Sequence, residues 1–157
     1  MKENKILIIG IGNYGRRDDG LGWAFLDAIQ EQSILKEAEV IYCYQLNVED
    51  AELISTADIV VFIDAFEREL DNGSSFEVCR PENNFSFTTH ALSPGVIVSL
   101  CSSLYDKHPI SYVLKIKGNE WELKEGLSEK AIKNLDGAVE SFKNNWIKKL
   151  AEHPIEH

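Results

Sequence analysis

Lys5-Ile6-Leu7-Ile8-Ile9-Gly10-Ile11-Gly12-Asn13-Tyr14-Gly15-Arg16-Arg17-Asp18-Asp19-Gly20-Leu21-Gly22 is the stretch from which the fold follows. Ile6 to Ile9 is a continuous apolar run rich in β-branched residues, the pattern of a parallel strand buried on both faces. After Gly10 the chain turns polar and glycine-rich. Leu21, Ala24, Phe25, Ala28 and Ile29 then recur at the spacing of a helix that packs on a sheet. A strand, a shaped loop and a helix in that order make a βα unit. Glycine loses more chain entropy on folding than any other residue, so five of them in one loop imply a backbone with a task.

Outward from this unit, Val40 to Tyr44 reads as a second strand and a short helix is expected from about Asn47 to Ala57. Ile59 to Ile63 is the strongest buried strand and runs straight into Asp64. A polar turn at Asn72-Gly73 leads to an edge strand, Ser75 to Arg80, stopped by Pro81. Pro81 to Thr89 reads as a loop. Ser93 and Pro94 supply the cap and first position of a helix running to about Tyr105. Ser111 to Lys117 is a further strand. Ser128 caps the longest helix, with Leu127 and Ile132 as its staple and Ile132, Leu135, Val139, Phe142 and Trp146 on one face. The order predicts a three-layer α/β/α sandwich with a mostly parallel, roughly five-stranded twisted sheet, phosphorylase/hydrolase-like in kind.

Composition narrows the function. The 157 residues are 44% hydrophobic and 27% charged, which suits one soluble domain spanning 1–157 with a core of about 5–150. A formal net charge of -10 argues against nucleic-acid and anionic-membrane partners, which need clustered Lys and Arg. Cys43, Cys79 and Cys101 are far apart and form no CxxC pair, so buried reduced thiols are expected. The run Ile6 to Ile9 is too short for a signal-peptide core or a membrane span, and a cytoplasmic protein is the expectation.

In a parallel sheet the loop after the first strand, Asp64 at the end of the third and a loop before a helix can meet at one end. Asp18 or Asp19, Asp64 and His90 could then share a pocket. Two oxygens and an imidazole would make an open three-ligand site for a divalent metal of the zinc or nickel kind. Read singly, each has a plainer explanation: Asp18 and Asp19 as helix caps, Asp64 as a turn cap, His90 as a surface residue. Gly10, Gly12 and Gly15 also match the dinucleotide pattern G-x-G-x-x-G. However, Asp18 and Asp19 stand where phosphates would bind, and Cys43-Tyr44-Gln45 lacks the acid that holds a ribose. No Gly-x-Ser-x-Gly elbow is present and no Cys stands in a recognisable motif with a His, so Cys43, at a strand end, is the one thiol worth testing as a nucleophile.

Gly10-Ile-Gly12-Asn13-Tyr-Gly15-Arg-Arg-Asp18-Asp19-Gly20-Leu-Gly22, Phe62-Ile-Asp64-Ala65 and Thr88-Thr89-His90 together resemble the hydrogenase maturation proteases. The similarity runs from about Lys5 to Leu150, with one departure at Gly15, where that family usually has Leu. The resemblance implies an endopeptidase that removes the C-terminal extension of the nickel–iron hydrogenase large-subunit precursor after nickel insertion. It implies Asp19, Asp64 and His90 as nickel ligands, with Gly10, Gly12, Asn13, Asp18 and Gly20 in the loop around them. The bond could be cut through a metal-polarised carbonyl or water, or with Asp19 or Asp64 as general base on water, and the second is the expectation. Nickel would come with the substrate, and other divalent metals could occupy the site in vitro. Such an O,O,N set cannot choose nickel by affinity, because copper binds more tightly and zinc comparably. The alternatives are a non-catalytic metal-sensing assembly protein and a small-molecule hydrolase on the same fold.

Overall fold

A computed structural model describes residues 4–83 and 92–151. Strands β1 (Ile6–Ile11), β2 (Glu39–Cys43), β3 (Ile59–Phe66), β4 (Ser74–Val78) and β5 (Ile110–Lys117) form one sheet in the order β2-β1-β3-β5-β4. All pairings are parallel except β4 with β5, so the expected mostly parallel, five-stranded sheet is what forms. The apolar runs explain the order. Central β1 and β3 are buried along Ile6 to Ile11 and Ile59 to Ile63, whereas β2 at one edge is half exposed.

Helices cover both faces. Alternation along β1 and β3 sends Ile6, Ile8, Val61 and Ile63 into one core with α1 (Leu21–Glu31) and α4 (Glu129–Ser141). Leu7, Ile9, Val60 and Phe62 join α2 (Glu49–Ile54) and α3 (Pro94–Tyr105) in the other. Ser93 caps α3 through its side chain, accepting from the Val96 N–H, and Ser128 caps α4 by accepting from Ala131, both as the sequence predicts. Among the described residues no helix is long and apolar enough to cross a membrane.

Most element ends shift by a few residues from expectation, and two strand ends and one helix face differ in ways that bear on the site and the core. β1 continues through Gly10 to Ile11, paired with Tyr42 and Cys43 of β2 and, at Gly10, with Ile63 of β3. A Cβ at Gly10 would lie 2.5 Å from the Leu26 side chain and 2.8 Å from the Gly22 carbonyl oxygen, so a side chain has no room there. β3 runs past Ile63 to Phe66, held by pairing with β5, so Asp64 lies inside the strand opposite Lys115. On α4, Ile132 is 46% exposed, and Ala131 and Ala138 take the buried places. A π-helical segment, Phe142–Trp146, then shifts the helix register before α5 (Ile147–Ala151). That shift stacks Trp146 on Phe76, with ring centroids 5.3 Å apart.

Chain order places a reversal in the sheet. From β1 the chain crosses by α1 to β2 on one side, and returns by α2 to β3 on the other. The crevice where the direction changes lies between the carboxyl ends of β1 and β3, the place where open α/β sheets bind ligands.

Candidate active site

The loop after β1 is built from its own backbone. Gly12 donates its N–H to the Cys43 carbonyl (2.9 Å), Asn13 N–H to the Asp19 carbonyl (3.0 Å), and Asp19 N–H to the Arg16 carbonyl (3.0 Å). The Asn13 side chain accepts from the Gly15 N–H at 2.8 Å, closing the turn locally. Gly12 has φ +151°, and a Cβ there would lie 1.9 Å from the Asp19 carbonyl oxygen. A Gly12→Ala substitution is therefore expected to destabilise the fold by about 3 kcal/mol, through backbone strain and overpacking. Chemical denaturation measures it, and a loss below 1 kcal/mol (about a fivefold change in the unfolding equilibrium) would mean that the loop re-forms around a side chain.

Asp18 and Asp19 are neighbours in one 3-10 turn, Arg17–Gly20, and neither makes a side-chain cap to α1. They do opposite things. Asp18 is fully buried, and its carboxylate accepts four hydrogen bonds: from the backbone N–H groups of Asn119 (2.7 Å), Glu120 (2.9 Å) and Ser128 (2.7 Å), and from the Ser128 hydroxyl (2.7 Å). Burial alone would raise its pKa, but the bonds from Ser128, Asn119 and Glu120 outweigh burial and hold it below the usual carboxylate value. Backbone bonds from Arg17 to Lys124 (2.8 Å) and from Asp18 to Glu120 (2.9 Å) complete the tie to the loop after β5. Arg17, with φ 47°, is held in the left-handed region there, its guanidinium paired with Glu120 and Glu122.

The Asp19 carboxylate accepts no hydrogen bond from the described residues. Burial raises its pKa, and the positive charge of Arg16 works against that rise. Asp64 follows Val60 and Phe62 onto the face shared with α2 and α3. Lys115 stands opposite it in register, but the ammonium is bonded to Glu77 at 2.9 Å. Burial first, and the nearby charge of Asp19 second, push the Asp64 pKa up to about 7, while a backbone hydrogen bond at Ala65 lowers it. The β3 carboxylate and the loop carboxylate thus lie at the reversal point, near enough for the charge of Asp19 to act on Asp64.

His90, with Thr88 and Thr89, lies outside the described residues. Among the described residues no three His, Cys, Asp or Glu side chains gather as a metal site. Asp19 and Asp64 supply two hard oxygen donors whose repulsion a divalent cation would relieve. Gly10, Gly12 and Gly20 serve as close-approach positions: a Cβ on Gly20 would meet the Tyr14 ring at 2.8 Å. Cys43 is a half-buried free thiol with its pKa pushed up to about 11, by burial first and then by Asp50 and Asp64, which unsuits it as a nucleophile. Cys79 and Cys101 are buried free thiols, as expected.

No family model matches the chain. It is 26% identical over 153 residues to a Methanocaldococcus jannaschii protein named "Putative hydrogenase maturation protease", covering 89% of this chain and 95% of that one. Its fold matches the hydrogenase maturating endopeptidase HybD from E. coli, with a TM-score of 0.69 and 15% identity over 94% of this chain and 93% of that one. It also matches the hydrogenase maturation protease HycI from Thermococcus kodakarensis, with a TM-score of 0.67 and 20% identity over 96% and 94%. The fold is thus the one these proteases have, and the resemblance read from the motifs is borne out along nearly the whole chain.

Proposed function

We propose that this chain is a hydrolase, an endopeptidase that removes the C-terminal extension of a nickel–iron hydrogenase large-subunit precursor once nickel has been inserted. One observation carries the reading: Asp19 and Asp64, from different elements, present carboxylates at the sheet's reversal point that form no ion pair among the described residues. A substrate that brings its own cation would relieve their repulsion on docking. Recognition by what the precursor carries also removes the need for this O,O,N set to select nickel from other metals. The third ligand in this reading is His90.

The chemistry asked of the chain is modest. Burial and Asp19 hold the Asp64 pKa up in the metal-free chain, and a docked cation that relieves that repulsion would leave the carboxylate ionised and able to accept a proton from water. The resulting hydroxide adds to the scissile carbonyl carbon, the carbon–nitrogen bond breaks, and the proton passes to the leaving amine. Nickel held in the substrate supplies Lewis acidity to the carbonyl. The Asp18 knot and the Gly12 backbone keep Asp19 in place for the docked metal. The same reading sets the reaction in the cytoplasm.

Mass spectrometry of nickel-loaded and nickel-free precursor, incubated with wild type, Asp19→Ala and His90→Ala, tests this. The expected result is loss of one defined C-terminal peptide by the wild type with nickel alone, and by neither variant. An intact precursor after incubation with wild type, despite confirmed nickel loading, overturns the reading.

A further inference from the structure

Four aromatic side chains from separate parts of the sequence meet beside the site loop. Trp23 on α1 is the centre, with ring centroids 5.3 Å from Tyr14, 5.9 Å from Tyr42 and 5.1 Å from Tyr44. Tyr44 is 70% exposed, and Tyr14 and Tyr42 are exposed as well. Neither the two cores nor the carboxylate pair uses these rings.

The cluster is fixed before anything binds. Trp23 Nε1 donates to the Cys43 carbonyl at 3.0 Å, the same oxygen that accepts from the Gly12 N–H. The Asp27 carboxylate accepts from the Tyr14 and Tyr42 hydroxyls, and Gln30 Nε2 donates to the Tyr42 hydroxyl at 2.7 Å. Burial first, with Asp27 adding to it, pushes Tyr42 up to about 12 and Tyr14 well above its ordinary value, so both remain donors to the carboxylate. Glu31 is near enough to act on Tyr14 too. Rigid, amphipathic rings backed by negative charge are suited to an apolar segment bearing Lys or Arg, whose cations stack on ring faces.

We propose that Trp23, Tyr14, Tyr42 and Tyr44, with Asp27 and Glu31 behind them, form a docking platform for a basic surface segment of the precursor protein. This rests on the endopeptidase reading and names a second contact for that substrate, away from the bond that is cut. Two things favour this occupant over a second copy of the chain. The platform is continuous with the site loop, since Tyr14 lies in that loop and packs on Gly20 next to Asp19. A second copy with net charge -10 would also set Asp27 and Glu31 against their own equivalents.

Tyr44→Ala and Glu31→Lys change exposed side chains and leave the Asp19 and Asp64 carboxylates untouched. Calorimetric Kd and cleavage kinetics would be measured for both variants and wild type, with nickel-loaded large-subunit precursor of the same organism. Tyr44→Ala is expected to raise Kd and KM about tenfold with kcat unchanged, the loss typical of an anchor residue. Glu31→Lys is expected to raise both about threefold and to flatten their dependence on salt. Kd and KM within twofold of wild type for Tyr44→Ala overturn the platform while leaving the protease standing. Binding that Tyr44→Ala weakens, without any cleavage by wild type, overturns the protease and keeps the platform. A dimer of this chain that Tyr44→Ala dissolves overturns the proposed occupant.

Discussion

An Asp64→Asn protein is expected to lose cleavage by about 10²- to 10⁴-fold while folding at least as stably as wild type at pH 8. The amide keeps the size of the carboxyl and its place opposite Lys115. It removes the proton acceptor and one of the two free carboxylates. The stability half follows from linkage. With a pKa of about 7 in the folded chain against an ordinary 3.8, folded Asp64 keeps its proton over a range in which the unfolded chain has released it. Wild-type stability should therefore fall as pH rises from about 4 to about 7, by about 4 kcal/mol in all, and level off above. The Asp64→Asn chain lacks that slope. Denaturant midpoints between pH 4 and pH 8 in metal-free buffer measure it. Precursor cleavage at the wild-type rate by Asp64→Asn would end Asp64's candidacy as the base, and equal pH slopes in the two proteins would show that its pKa is not raised in the folded chain.

That buried carboxylate sits at a position the sequence marks, since the run Ile59 to Ile63 reads as a central strand and Asp64 follows it directly, although a turn cap is as plain a reading of the residue alone. The helices are equally legible. Ser93-Pro94 and Ser128 announce starts that depend only on local hydrogen bonds. Strand ends are not, because Gly10 and Asp64 belong to strands only through neighbours far away in sequence: β2 and β3 in one case, β5 in the other. For the same reason Ile132 reads as a core residue by spacing, although the cores pack Ala131 and Ala138. The aromatic cluster is invisible in the sequence, since Tyr14, Trp23, Tyr42 and Tyr44 follow no shared period. The least legible fact of all is the contrast between Asp18 and Asp19. The two residues are chemically identical and adjacent, and only the return of the chain about 100 residues later, at Asn119, Glu120 and Ser128, separates a buried knot from a free carboxylate.

That knot sets the second large expectation. Asp18→Asn should destabilise the fold by about 3–5 kcal/mol, the loss found when one partner of a buried, charge-assisted network is replaced. One carboxylate oxygen accepts from Asn119, Glu120 and the Ser128 hydroxyl, and the other from the Ser128 N–H. An amide retains a single acceptor and turns its NH₂ either towards three donors or towards the fourth, so buried N–H groups are left unpaired whichever way it faces. For a chain of this size the melting temperature should drop by about 10 °C. The pH dependence distinguishes this from loss of bulk. Because the folded pKa of Asp18 is lowered, its contribution is complete above the ordinary carboxylate value and disappears as pH falls through the folded one. Wild type and Asp18→Asn should therefore differ most at neutral pH and converge in acid. A gap that is as wide at pH 3 as at pH 7 would assign the loss to packing and not to the carboxylate's charge. Cleavage should fall in the same variant even where it is folded, since the bonds to Asn119, Glu120 and Ser128 are what fix the turn that carries Asp19.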